Sequence, residues 1–153
     1  MTTGPSRALR RFDQLDVFTD VPMRGNPLAV VHDASGLGDA EMADFARWTN
    51  LSETTFVLPP TDPNATYWMR IFTPAKEIPF AGHPSVGTAY VMARAGRFPL
   101  QEPVTRIFQQ VGVDGNFGSD VDFANVRAWR GGSFDIYASL NATTHLVFEL
   151  IDN

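Results

Sequence analysis

Apolar positions along this chain come in short runs separated by turn residues, and the period of the pattern switches between strand and helix. "RFDQLDVFTD" (residues 11–20) supplies Phe12, Leu15, Val17 and Phe18 with imperfect alternation and reads as a strand. The Gly25-Asn26-Pro27 turn leads into Leu28–Val31, an unbroken apolar run that fits a buried strand. In "GLGDAEMADFARWTN" the period changes. Met42, Phe45, Ala46 and Thr49 fall at i, i+3, i+4 and i+7, which predicts a helix over 39–49. Asp39 and Glu41 sit in its first turn, where negative charge suits the helix dipole, and Asn50 is the expected stop. "ETTFVLPP" is a β-branched, aromatic strand halted by two prolines. "ATYWMRIFTP" alternates so as to pair with it across the "TDPN" turn as a hairpin.

"SVGTAYVMARAG" is apolar or small on nearly every side, the mark of a buried helix. Pro84 fits its first position and Gly96 its stop, so a central helix near 84–95 is expected. Beyond Gly96 the pattern is strand-like. "TRIFQQVGV", "VDFANVRAW", "SFDIYASL" and "THLVFEL" are separated by the turn-rich "DGNFGSD", "RGG" and "NAT". Residues 1–10 read as a flexible N-terminal arm, and 11–153 as a single lobe. The fold class is α+β: a mixed, curled sheet wrapped around the central helix, with the second helix near 39–49.

Composition narrows the function. The 153 residues suit one domain, and 44% apolar content can fill a core. A net charge of -5 argues against nucleic acid and against an acidic membrane surface as partners. The N-terminus carries no secretory pattern, and no apolar run is long enough to span a bilayer, so a soluble, cytoplasmic protein is expected. The chain has no Cys, which removes disulfides, thiolate metal sites and a cysteine nucleophile. Its 3 His, His32, His83 and His145, show no HxH or HExxH spacing, so no metal is expected. Trp48, Trp68 and Trp129 read as packing residues, and Asp13, Asp16 and Asp20 as strand-edge charges.

Two spots could carry chemistry. In "PFAGHPSVGTA", a helix opened by Pro84 would make His83 its N-cap. The backbone N–H groups around Gly82 to Ser85 would then face the positive end of the dipole, a seat for a carboxylate with a titratable group beside it. The alternative is a histidine that only caps a helix and packs against a loop. In "NLSETTF", Glu53 stands at the start of a strand, flanked by Ser52, Thr54 and Thr55. Burial would raise its pKa toward that of a useful general acid or base, whereas in the open it is a solvated loop carboxylate.

Taken together, "DVFTDVPMRGNPLAVVHDASGL", "NLSETTFVLPP" and "RIFTPAKEIPFAGHPSVGTA", in that order, resemble the phenazine-biosynthesis isomerase-like proteins, the PhzF-like family. The resemblance covers about residues 11–97. It implies the diaminopimelate epimerase fold, with two similar lobes, each a sheet around a central helix, and an active site between them. It also implies cofactor-independent isomerisation by proton shuttling. Glu53 matches the family's catalytic glutamate and His83 its "GHP" histidine. Gly82 and the helix start, with Pro84 and Ser85, match the substrate-carboxylate seat, and Ser52 lines the same site. Family members run to nearly twice this length, and residues 104–153 are β-rich but unmatched. The expected protein is therefore one lobe of a PhzF-like isomerase acting on a small carboxylate-bearing metabolite, cyclic or amino-acid-like, with a homodimer rebuilding the cleft. The alternatives are a non-catalytic lobe that binds a small carboxylate or a partner, or an inactive relic.

Overall fold

The computed structural model describes residues 9–19, 21–99, 104–115, 117–124, 134–140 and 144–150; side chains are described for 9–19, 21–99, 107–115 and 118. The elements are β1 (Phe12–Val17), β2 (Asn26–Val31), α1 (Asp39–Thr49), β3 (Glu53–Leu58), β4 (Tyr67–Phe72), β5 (Glu77–Ile78), α2 (Gly82–Arg94), β6 (Val104–Val111), β7 (Phe117–Ala124), β8 (Phe134–Leu140) and β9 (Thr144–Leu150). One mixed sheet runs in the order β1-β2-β3-β4-β6-β7-β8-β9, with β5 paired onto β4. The pairs β2/β3 and β4/β6 are parallel, and every other pair is antiparallel. Each parallel pair needs a crossover. The first crossover carries α1 and the second carries α2.

The two helices cover opposite faces of the central strands. Successive strand residues point to opposite faces. Val30, Val57, Met69 and Ile71 accordingly join Val86, Ala89 and Met92 of α2 in one cluster. Val31, Phe56 and Phe72 join Met42 and Ala46 of α1 in another. Three edge-to-face contacts, Phe12–Phe45, Phe45–Phe56 and Phe56–Phe72, knit the second cluster. Helix α2 is buried over most of its length, as an apolar helix without a polar face should be. It lies very close to the sheet at Gly87, where an added Cβ would come within 2.5 Å of Leu28 Cδ2 and 3.0 Å of Val17 Cγ2.

Helix α1 occupies the expected 39–49, with Asp39 and Glu41 in its first turn and Asn50 closing it in the left-handed region at φ 54. Arg70, 6% exposed on β4, fixes that helix start. It donates to Asp39 at 2.8 Å and to both oxygens of Glu77 at 2.8 and 2.6 Å.

Three readings of the pattern change. Arg10 is not part of a loose arm, because its guanidinium donates to the carbonyls of Asp33 and Ser35 at 2.7 and 2.8 Å. Residues 1–8 lie outside the described residues. Strand β7 begins at Phe117, inside the stretch read as a turn. After β6 the chain turns at residues 112–115, where Gly112 and Gly115 take positive φ, and Phe117–Asp120 pair with β6. Trp48 is 76% exposed and is not a core residue. Trp68 does pack inward, donating Nε1–H to the Gly112 carbonyl at 2.7 Å, while Trp129 lies outside the described residues.

Candidate active site

Glu53 is the first residue of β3, paired in parallel register with Leu28 of β2. His83 lies in the first turn of α2. The fold brings them together: His83 Nε2 stands 3.0 Å from Glu53 Oε2, with the side chains 12% and 17% exposed. Both atoms are buried, and neither makes a hydrogen bond among the described residues. The imidazole hydrogen-bonds the Pro27 carbonyl. Ser52 Oγ donates to the same carbonyl at 2.8 Å. The Gly25-Asn26-Pro27 turn thus fixes the ring from behind, and Phe18 meets it edge-on at a centroid distance of 6.2 Å. Burial lowers the His83 pKa below its ordinary value, and the Glu53 charge and the Pro27 carbonyl offset this only in part.

The helix start differs from the expectation. Its N-cap is Ala81, so Gly82, His83 and Pro84 are the first three helical residues and His83 is not the cap. A proline is tolerated throughout the first turn, since those N–H groups have no partner within the helix. Ala81 offers no capping side chain, which leaves the N–H groups of Gly82 and His83 at the positive end of α2. An added Cβ on Gly82 would meet nothing within 4 Å. The space above the helix start is open, and packing does not require the glycine.

Pro84 and Ser85 are buried. Ser85 Oγ turns back to the Ala81 carbonyl at 2.8 Å, and the Ser85 carbonyl accepts Gln109 Nε2 at 2.8 Å. Gln109 is fully buried and also donates to Tyr67 OH. Thr55 and Thr88 share a hydroxyl–hydroxyl bond at 2.8 Å between β3 and α2. Sequence reasoning missed Pro27, Phe18, Gln109 and this Thr pair. Only the "GNP" turn carried a signal, and it was read as a turn rather than as the acceptor behind a histidine.

His32 does not join His83. It follows the last residue of β2, whereas His83 is tied to Pro27 near the first, and its Nε2 engages Asp13 Oδ2 at 2.9 Å. The side chain of His145 lies outside the described residues.

A profile of the family described as phenazine biosynthesis-like protein matches residues 15–113. Among curated relatives, a trans-2,3-dihydro-3-hydroxyanthranilate isomerase of Pseudomonas fluorescens is 51% identical over 78 residues, 51% of this chain and 28% of that protein. An uncharacterized isomerase of Mesorhizobium japonicum is 50% identical over 101 residues, 62% of this chain and 33% of that one. A solved predicted epimerase from Pseudomonas aeruginosa superposes with TM-score 0.69 at 33% identity, covering 85% of this chain and 42% of its own. A hydroxyproline epimerase from Agrobacterium vitis, at 15% identity and TM-score 0.59, shares the fold. The matched segment spans about a third or less of the curated relatives' length.

Proposed function

This chain belongs to the phenazine biosynthesis-like protein family, and we propose that it forms one wall of a cofactor-independent isomerase site in which Glu53 moves a proton between two carbons of a small carboxylate-bearing metabolite, cyclic or amino-acid-like. One observation supports this reading above the others. Two buried acid–base atoms face each other at 3.0 Å with no hydrogen bond made by either. A carboxyl oxygen and an imidazole nitrogen at that separation can pass one proton between them. The pair is therefore placed to take one proton from a substrate and to give it back.

The steps balance without any redox change. The Glu53 carboxylate takes a proton from carbon, and the electron pair shifts into the adjoining unsaturated system. The Glu53 carboxylic acid then returns the proton at a second carbon, so product and substrate are isomers. His83 stabilises the transient Glu53 acid through Nε2. The substrate carboxylate sits over the Gly82 and His83 N–H groups at the dipole's positive end, and Ser52 lines the approach. The described residues supply one side of this cleft. In this proposal a second copy of the chain supplies the other, through a self-complementary two-fold interface.

The test is proton exchange in deuterated water, followed by NMR, with trans-2,3-dihydro-3-hydroxyanthranilate and a set of small unsaturated carboxylates. The expected result is deuterium incorporation and isomerisation, lost in Glu53→Gln while ligand binding persists. Exchange unaffected by Glu53→Gln would overturn the assignment of the base. Binding without exchange in the native chain would indicate a non-catalytic carboxylate-binding lobe. Sedimentation at micromolar concentration tests the composite cleft: a dimer supports it, and a strict monomer removes it.

A further inference from the structure

A cavity of about 330 Å³ opens at the far end of the lobe, between the ends of β2 and β3 and the C-terminal end of α2. Its accessible apolar wall is Leu58, Pro59 and Pro60, with the buried core residues Val57 and Met92 beneath, and its polar wall includes His32, Asp33 and Arg97. It is distinct from the Glu53–His83 site. Glu53 opens β3 and Leu58 closes it, which sets the two sites about 16 Å apart along the strand.

The two charges at this cavity are opposite in sign and are both held on fixed turns. The turn after β2 is clamped by Arg10, which donates to the Asp33 and Ser35 carbonyls. The Ser35 N–H donates to Asp33 Oδ1 at 2.9 Å. Hydrogen bonds from the Ser35 hydroxyl and N–H, aided by the charges of Arg10 and Arg97, hold the Asp33 carboxyl below its ordinary value, so it is ionised. Arg97 follows Gly96, which closes α2 at φ 69, and its own N–H returns to the Met92 carbonyl at 3.0 Å. Among the described residues the Arg97 guanidinium forms no ion pair within 4.0 Å, with Asp33 or any other carboxylate. His32 adds a fixed ring to the wall, since its Nε2 is engaged by Asp13.

We propose that this cavity is a second ligand site, for a small zwitterion with an apolar body, of the α-amino-acid class. Arg97 takes the ligand's carboxylate and Asp33 its ammonium, while Leu58, Pro59 and Pro60 receive the side chain. The volume lies at the small end of the range of ligand pockets, which runs from about 300 to 1,000 Å³, and suits a ligand of amino-acid size. Neither charge alone would select such a ligand. The selectivity comes from both being present at one cavity without being paired to each other.

The test is a heteronuclear NMR titration of the full chain with L-leucine. 4-Methylpentanoate (carboxylate only) and isoamylamine (ammonium only) serve as half-ligands. The expected result is leucine binding at least tenfold tighter than either half-ligand, with shifts centred on residues 32–35, 57–58 and 92–97. Arg97→Gln and Asp33→Asn should each weaken it at least tenfold in chains whose amide spectra remain those of the folded protein, and Glu53→Gln should leave it unaltered. Leucine binding no tighter than the half-ligands, or no binding up to tens of millimolar, overturns the proposal. Loss of binding in Glu53→Gln with retention in Arg97→Gln also overturns it, because the ligand would then occupy the other site.

Discussion

Thr55 on β3 and Thr88 on α2 share a buried hydroxyl–hydroxyl hydrogen bond of 2.8 Å, two residues along from Glu53 and five from His83. It ties the strand that carries the carboxylate to the helix that carries the imidazole. Replacing Thr55 by the equally shaped Val strands the buried Thr88 hydroxyl and should cost about 1–2 kcal/mol, whereas in Thr88→Val the Thr55 hydroxyl keeps the Ala29 carbonyl at 3.4 Å and the loss should be smaller. Replacing both removes both polar groups, so the double variant should lose less than the sum of the singles. Chemical denaturation across the four-member cycle measures the coupling; additive losses would show that the bond holds nothing together.

His83 gives a pH dependence with a definite sign. Its folded pKa lies below its ordinary 6.5, so between those two values the unfolded chain holds more protons than the folded one. Its contribution to stability is complete above the ordinary value and is lost as pH falls through the folded value. Urea unfolding from about pH 7.5 to 5 should show this slope, and His83→Gln should flatten it. Glu53→Gln removes the charge that opposes the burial effect, so the ring's NMR titration midpoint should move lower still.

Arg70 is the anchor for the start of α1. Arg70→Ala leaves Glu77 beside an empty, mostly buried place and frees Asp39 into water. The expected loss is about 3 kcal/mol, at the low end for breaking a buried pair because Glu77 keeps some solvent. Arg70→Lys keeps the charge but not the two parallel bonds to Glu77, and should recover only part of it. Thermal melts of the two variants decide this.

Two glycines of α2 should respond in opposite ways. Gly87→Val drives a branched side chain into Leu28 and Val17 and should cost about 1–3 kcal/mol. Gly82→Ala meets open space, so its midpoint should change little. Its methyl group narrows the approach to the helix start, so small carboxylates should bind several-fold more weakly. Melting and ligand titration of both variants separate packing from site.

Much of this was legible in the residues. The 3.6-residue spacing of Met42, Phe45 and Ala46 found α1 to the residue, and the all-apolar surface of "SVGTAYVMA" gave the buried helix. "SET" and "GHP" held the two side chains that meet at 3.0 Å. What stayed hidden depends on pairing between distant segments. Gln109 reads as an ordinary polar strand residue until β6 aligns beside β4 and delivers it to Ser85, 24 residues away. Pro27 acts through its carbonyl, which no side-chain pattern reports. The N-cap was misplaced by one turn-opening rule: Pro84 suits the third helical position as well as the first, since it gives up no intrahelical bond at either.

The crossover that carries α2 also sets an order of events. Gln109 can reach the Ser85 carbonyl only after β6 has paired in parallel with β4, and the chain between them must first close on itself. Such long-range parallel pairing is slow compared with forming a helix or hairpin. During synthesis the "SET" and "GHP" segments emerge well before the residue that pins the helix start. A ribosome stalled anywhere before Val111 would present Glu53 and His83 on a chain not yet able to hold α2 in place.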